Sequence, residues 1–416
     1  MADLFWPGDE RAGDLLTDAA FLAAMVDVEA GWLSALVGSG VAPESAAAPD
    51  LHALVTPDLT GRLSRDAEGG GNPAMLLVAA LRDELRESAP DAAAWLHRGL
   101  TSQDVVDSAL MACSRDAVAT LLMSLREQVD LLARLVEEHR TTPMVARTLT
   151  QHAVPTTFGL KAAGWLTGVL DAYDDVAALV LPVQVGGAAG TMAATVELAA
   201  GLPDPVEVAH QLSVELAERL GLAPSTPWHT SRATVTRLGD AAVRCTDAWG
   251  RVAGDVLALG RPEVGELSEG AGGGSSTMPH KSNPVLSTLV RRAALTTPQL
   301  AATLHLAAAE ATDERSSGPW HAEWATLRTL LRRAVVAGDQ ATDLLGGLVV
   351  HADRMGRTLD AAHDDVHAEQ RSLADLAGRA PRGDYLGATD AFVEAPLARA
   401  AAVLADPDPT TPQEIP

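Results

Sequence analysis

The feature that most constrains the fold is a set of long apolar stripes with helical spacing. The stretch from Ser102 to about Arg140 contains no proline, and its apolar side chains recur at steps of four and three residues. These are Val118, Leu122, Leu125, Val129, Leu132 and Val136. This spacing predicts one long amphipathic helix whose apolar face needs partners.

Four further segments have the same character. They run over residues 157–181, 231–259, 285–311 and 321–349. Five helices of this length predict an all-α protein built on a helix bundle. We expect several chains to share that bundle, since such long stripes are rarely buried within one small domain.

Runs of glycine, proline and polar residues suggest the domain limits. Short helical patterns separated by GSGVAPES and RDAEGGGNPA predict an N-terminal helical domain over 1–100. The long helices predict a central bundle over 101–349, and a C-terminal helical domain follows over 350–405. The tail at 406–416, DPDPTTPQEIP, has a composition typical of disorder.

Charge and targeting signals limit the partners of the chain. The net charge of −24 argues against binding to nucleic acid or to an anionic membrane, because both require a basic surface. The N-terminus carries acidic residues where a secretory signal carries basic ones, which favours a cytoplasmic protein. Cys113 and Cys245 are far apart in sequence and suggest neither a disulfide framework nor a zinc site. No metal or organic cofactor is implied.

One segment between two predicted helices combines mobility with polar chemistry. Residues 265–284 read GELSEGAGGGSSTMPHKSNP, with five glycines followed by serines, a lysine and an asparagine. Glycines let the backbone move and approach a ligand closely, and the cation suits an anionic substrate. Lys281 is one of only two lysines in the chain; the other is Lys161.

The string GSSTMPHKSNP at 274–284 resembles the fumarase/aspartase superfamily signature GSSxMPxKxNP at every fixed position. By this resemblance Ser275 is the catalytic serine that exchanges a proton on the carbon next to a carboxylate. Ser276, Lys281 and Asn283 are then substrate-binding residues. The carbanion formed next to a carboxylate needs fixed donors and positive charge around it, which such a loop supplies.

Two other segments resemble the superfamily. LHRGLTSQDVVDSAL at 96–110 matches a TSxD segment at a helix start, where Thr101 and Ser102 are expected to bind a substrate carboxylate; the alternative is a plain helix cap. ARTLTQHAVPTTFG at 146–159 matches a segment with Arg-Thr-His-x-Gln, so the site is expected to include Arg147, Thr148 and Gln151.

The chain departs from this second pattern at one position. Leu149 stands where many members have a histidine that protonates a poor leaving group. The absence of this histidine favours a leaving group that is stable as an anion. The histidine three places on, His152, is read as either ligand-orienting or structural.

Within the superfamily, TSQDVVDSAL, the Leu149 change and DERSSGPWHAEW at 313–324 resemble the carboxymuconate cycloisomerase subgroup. The resemblance implies intramolecular addition of a carboxylate to an alkene in a small tricarboxylate substrate. Arg315 is a further candidate ligand, or else a partner of a neighbouring carboxylate. The side chains of Trp320, His321, Glu323 and Trp324 are expected to form a packed wall of the pocket rather than to act as catalysts.

The same resemblance implies a homotetramer whose active sites each combine segments from three subunits. Other readings are a nitrosuccinate-type lyase, whose leaving group also needs no proton, an adenylosuccinate-type lyase, which Leu149 disfavours, and a catalytically idle helical scaffold, which the intact signature disfavours.

Overall fold

The computed structural model describes residues 3–270, 273–274, 278 and 281–405, with the side chain of residue 57 left out. The predicted tail at 406–416 lies outside these residues. The helices are α1 (Asp18–Gly38), α2 (Pro57–Asp66), α3 (Ala74–Ser88), α4 (Pro90–Trp95), α5 (Ser102–Glu138), α6 (Phe158–Ala177), α7 (Ala193–Leu198), α8 (Pro205–Leu220), α9 (Ala233–Leu259), α10 (Val285–Ala309), α11 (Pro319–Gly346), α12 (Ala352–Ala361), α13 (His363–Val366), α14 (Ala368–Leu376) and α15 (Thr389–Ala405).

The all-α prediction is confirmed, and the five long helices α5, α6, α9, α10 and α11 fall where the apolar stripes predicted them. The stripe of α5 is buried along its whole length, as is the corresponding stripe of α9. Periodicity alone was sufficient here because each helix has one dominant apolar face.

Among the residues that the structure describes, four short strands were not predicted. They are β1 (Pro143–Thr148), β2 (Gln151–Thr157), β3 (Leu267–Glu269) and β4 (Leu348–Val350). β1 and β2 form an antiparallel hairpin, and β3 pairs with β4. The last long helix therefore ends at Gly346 instead of 349, because Gly346 and Gly347 interrupt it before β4.

The chain divides into two compact units. The first takes residues up to Val118 together with Leu179–Asp240 and Gln299–Arg332, and the second takes Ala119–Ala178, Ala241–Pro298 and the chain from Arg333 onward. The boundary falls within long helices, since α5 contributes residues to both units. The division into three domains at 100 and 350 stays a prediction.

In the first unit α1 packs against α8, and its side chains Val26, Val28 and Trp32 are fully buried. Among the described residues α1 is the one helix with the length and apolar composition of a membrane span, and 56% of its most apolar window is buried inside the fold. Its carboxylate Glu29 is also buried and lies 2.6 Å from His97 Nδ1. These contacts identify α1 as a core helix of this unit.

In the second unit a buried glutamine joins three helices. Gln128 of α5 donates to the carbonyl of Gly338 in α11 (2.9 Å) and accepts from Trp249 Nε1 of α9 (2.6 Å). α9 also meets α10 closely, since a Cβ added to Gly250 would lie 2.5 Å from the Cβ of Ala294. Close backbone approach and a satisfied polar group therefore hold this part of the bundle together.

Candidate active site

The helix α5 begins at Ser102, as the sequence predicted, and Asp104 organises its start. The Asp104 carboxylate is fully buried and accepts four hydrogen bonds. The backbone N–H groups of Thr101 (2.9 Å) and Gly187 (3.0 Å) donate to Oδ2; the N–H of Gly186 (2.9 Å) and His229 Nε2 (3.0 Å) bond to Oδ1. Burial raises the pKa of this carboxyl, and its hydrogen bonds oppose that effect.

Asp104 therefore connects two segments: the one that contains Thr101 and Ser102, and the glycine turn at 186–187. The sequence pointed to Asp104 only as the last position of TSxD. It gave no signal for His229, which is 125 residues away.

Two predicted site residues meet in the first unit. The Nη2 of Arg315 donates to the Oγ1 of Thr101, and its guanidinium lies 6.0 Å from the ring centroid of Trp320. This geometry does not favour the alternative prediction, in which Arg315 forms an ion pair with a neighbouring carboxylate. Arg315 is exposed and Thr101 half-buried, so a ligand can reach both side chains.

A buried polar network lies behind this pair. Arg232 bonds to Asp107 through Nη1 (2.8 Å) and to Glu323 through Nη2 (2.5 Å), and Trp320 Nε1 donates to Asp107 Oδ1 (2.9 Å). Burial raises the pKa of Glu323, although the hydrogen bond from Arg232 lowers it. Trp320 and Glu323 thus have structural partners, which supports their assignment to a packed wall.

The third matched segment forms the β1–β2 hairpin of the second unit. Thr148 pairs with Gln151, and the two-residue turn between them is Leu149–Thr150, with φ of 48° and 69°. Both predicted ligands are exposed at the tip, beside Leu149, which is 96% exposed. Left-handed backbone at two successive residues matches the twist of a tight hairpin, although neither residue is glycine or asparagine.

Arg147 forms an ion pair within the second unit. Its Nη1 and Nη2 donate to the two carboxylate oxygens of Glu266 at 2.8 and 2.7 Å, and Glu266 is fully buried. Substrate binding by Arg147 stays a prediction; in this arrangement its guanidinium is paired with a protein carboxylate. The sequence did not point to Glu266, because no pattern of residues connects it with Arg147.

The signature loop has a well-defined base. Glu269 accepts hydrogen bonds from the N–H groups of Leu286 (3.1 Å) and Ser287 (2.7 Å) in the first turn of α10. Further along, Gly273 and Asn283 exchange two backbone hydrogen bonds of 2.8 and 2.7 Å. These contacts bring the start and end of the signature segment together.

The predicted loop residues differ in what the structure describes. Lys281 is exposed, and Asn283 is half-buried with its amide Nδ2 3.4 Å from the carbonyl oxygen of Gly274. Ser275 and Ser276 lie outside the described residues. Lys281, Asn283, Thr148 and Gln151 belong to the second unit, whereas Thr101, Ser102 and Arg315 belong to the first.

A cavity of about 370 Å³ lies behind the hairpin in the second unit. Its lining includes His152, Arg354, Arg357, Thr358 and Asp365, so it holds none of the predicted site residues. His152 therefore faces a different environment from Gln151, its neighbour on β2. Both readings of His152, ligand-orienting and structural, stay predictions.

The described part of the chain contains neither a metal-binding cluster nor a reactive thiol. No group of three or more His, Cys, Asp or Glu side chains there is arranged to hold a metal ion. Cys113 and Cys245 are free and buried, and burial raises the pKa of each thiol to about 12. Neither thiol is therefore a nucleophile at neutral pH.

A family model described as lyase matches residues 72–297, which include Thr101, the hairpin and the signature loop. The chain belongs to this family, the fumarase/aspartase superfamily, and is an enzyme of that class. It is similar to nitrosuccinate lyase from Streptomyces davaonensis, with 46% identity over 88% of this chain and 78% of that protein.

It is also similar to 3-carboxy-cis,cis-muconate cycloisomerase from Pseudomonas aeruginosa, with 40% identity over 88% of this chain and 79% of that protein. Among solved structures, the 3-carboxy-cis,cis-muconate lactonizing enzyme from Pseudomonas putida matches with a TM-score of 0.80 and 30% identity. That match covers 95% of this chain and 97% of the other.

Proposed function

We propose that the chain lactonises 3-carboxy-cis,cis-muconate to 4-carboxymuconolactone, a step in protocatechuate breakdown by the β-ketoadipate pathway. The observation that carries this proposal is Leu149 at the exposed tip of the hairpin, between Thr148 and Gln151. A leucine cannot transfer a proton, which favours a group that leaves as a stable anion in the elimination direction. A carboxylate meets this requirement.

In the proposed reaction one carboxylate oxygen of the substrate attacks an alkene carbon of the same molecule, which forms the C–O bond of the lactone. The carbon next to another carboxylate takes a proton from Ser275, and the serine is reprotonated from water. Lys281 and Asn283 stabilise the negative charge that develops on that carboxylate. Holding the attacking carboxylate in line contributes up to about 7–11 kcal/mol to lowering the barrier.

The remaining predicted residues bind the other charges of the substrate. Thr101, Ser102 and Arg315 supply hydroxyl groups and a guanidinium at the start of α5, while Thr148, Gln151 and Ser276 supply uncharged donors. The Arg315–Thr101 contact supports this grouping, because it places the cation beside the hydroxyl before substrate arrives. In a chain of net charge −24, such local clustering is needed to hold a tricarboxylate.

A second candidate is the elimination of nitrite from nitrosuccinate. The 46% identity to a nitrosuccinate lyase favours it, and the Leu149 observation fits it equally, since nitrite also leaves without protonation. An adenylosuccinate-type reaction fits less well, because its amine leaving group needs an acid at the hairpin.

The two candidates are separated by direct assay. The purified protein is mixed with 3-carboxy-cis,cis-muconate, and loss of the conjugated diene absorbance is followed; a parallel reaction with nitrosuccinate is followed by nitrite release. We expect rapid loss of the diene with the wild type and none with Ser275→Ala. Nitrite release without diene loss would assign the second function instead.

We further propose a cytoplasmic homotetramer whose active sites combine segments from different subunits. The exposed apolar side chains Leu295 and Leu306 on α10 support burial against other copies of the chain. Light scattering gives the mass of the assembly. Mixing inactive Ser275→Ala with inactive Thr101→Val restores part of the activity if sites are shared; a fully active monomer would contradict the proposal.

A further inference from the structure

We propose that Arg147 and Glu266 act as a positioning pair, which holds the tip of the β1–β2 hairpin against the segment that opens the signature loop. The inference rests on the proposed function, in which Thr148 and Gln151 at this tip bind substrate. It assigns Arg147 a positioning role in place of contact with the substrate. It also assigns a positioning role to Glu266, which the sequence did not indicate.

The geometry of the pair restricts orientation as well as distance. The Nη1 of Arg147 lies 2.8 Å from Oε2 of Glu266, and Nη2 lies 2.7 Å from Oε1. Two parallel hydrogen bonds between planar groups allow little rotation about the contact. The Glu266 side chain is fully buried and that of Arg147 is 20% exposed, so water competes weakly for either group.

Both ends of the pair are attached to fixed backbone. The Glu266 N–H donates to the carbonyl of Leu259 at the end of α9 (2.9 Å), and the Glu266 carbonyl accepts from the N–H of His351 (3.0 Å). On the other side, Arg147 Nη1 also approaches the carbonyl oxygen of Val145 (3.3 Å), where the ladder between β1 and β2 is irregular. Glu266 thus fixes the strand residue directly before Thr148.

The same burial argues against a substrate-binding role for Arg147. If its guanidinium moved to a substrate carboxylate, Glu266 would be left as an uncompensated charge in the interior, which proteins avoid. The Arg147–Glu266 contact is therefore expected to persist when substrate binds. What the pair controls is the place of the hairpin tip, where a displacement of about 1 Å is enough to lower the reaction rate by about 100-fold.

Three variants test the pair as a unit: Arg147→Gln, Glu266→Gln and the double variant. We expect all three to lower kcat/KM to a similar extent, between about 10- and 100-fold, mainly through kcat. The double variant leaves no buried unpaired charge, so its thermal stability is expected to exceed that of both single variants. A pair needed only for folding would instead recover activity together with stability in the double variant.

Direct substrate binding by Arg147 predicts a different pattern. Arg147→Gln would then raise KM strongly, whereas Glu266→Gln would leave KM unchanged or lower it by releasing the guanidinium. This result would overturn the proposal. The matched control is Asp174→Asn, which removes a partner of Arg399 on the surface of the same unit (2.8 Å) and is expected to leave kcat and KM unchanged.

Hydrogen exchange gives a readout that does not depend on the substrate. Amides of residues 143–157 are expected to exchange faster in the three variants than in the wild type and in Asp174→Asn. This comparison decides the structural part of the proposal even if the wild type turns over neither proposed substrate. Unchanged exchange in this hairpin would overturn the proposal whatever the kinetics show.

Discussion

His229 Nε2 lies 3.0 Å from Asp104 Oδ1, and the two side chains are buried together although they are 125 residues apart in sequence. The contact completes a set of four donors around one carboxylate. An uncompensated carboxylate at this depth would be strongly unfavourable, so the four contacts explain how a carboxyl group can be buried under a predicted ligand-binding segment.

Asp104→Asn is expected to weaken both stability and substrate binding. An amide cannot accept from donors at both of its heavy atoms, so at least one buried N–H group loses its partner, at a cost of about 1–3 kcal/mol. Urea unfolding measures the loss, and KM is expected to rise because the Thr101 segment is released. Glu215→Gln, which removes a partly exposed partner of Arg219 on α8, is the control; equal stability of the two variants would contradict this account of Asp104.

The stability of the protein is expected to carry a pH-dependent contribution from Glu323. Because burial raises its pKa in the folded state, the stabilisation is present at low pH and is lost as the pH rises through the folded-state pKa. Glu323→Gln removes this titration. The difference in unfolding free energy between wild type and variant is therefore expected to fall between acidic and neutral pH, and a flat difference from pH 4 to pH 8 would contradict it.

Two glycines on α9 are expected to respond oppositely to the same substitution. Gly250→Ala places a Cβ 2.5 Å from that of Ala294, and such overpacking costs about 1–3 kcal/mol. Gly254→Ala meets no atom within 4 Å and is expected to stabilise the helix by about 0.5–1 kcal/mol. Thermal unfolding of both variants tests this. Destabilisation by Gly254→Ala would indicate that another copy of the chain packs there.

Leu149→Asn is expected to leave turnover within about threefold of the wild type, because the proposed leaving group requires no acid at this position. Asparagine also accepts the left-handed backbone of the turn more readily than leucine does. Steady-state kinetics with the accepted substrate measure the effect. A fall of more than about tenfold would mean that the Leu149 side chain takes part in binding the substrate.

The helical part of the fold could be predicted from the sequence because its information is local. A stripe such as Leu238 to Val256 on α9 needs only a spacing of three and four residues to define a helix and its buried face. The start of α5 at Ser102 was predictable for the same reason. The strands β3 and β4 were missed, since they are three residues each and their paired residues lie 79 to 83 positions apart in the chain.

For the candidate site too, local sequence patterns were predictive, whereas contacts between distant residues were not. Its sequence signature identified the superfamily and predicted the roles of Lys281 and Asn283, because the residue types themselves carry the chemistry. The sequence also grouped Thr101 with Arg315 as candidate ligands, but their direct contact could be seen only in the structure.

The amino-acid sequence by itself thus determined the helices, the superfamily and the absence of an acid at position 149. Only the tertiary structure showed that Arg147 forms an ion pair with Glu266. It alone also showed that Asp104 accepts hydrogen bonds from Thr101, from the 186–187 turn and from His229. The physical reason is that buried charges must be compensated by whichever donors the fold brings near. Those partners are selected by distance in space, which no local pattern of residues records.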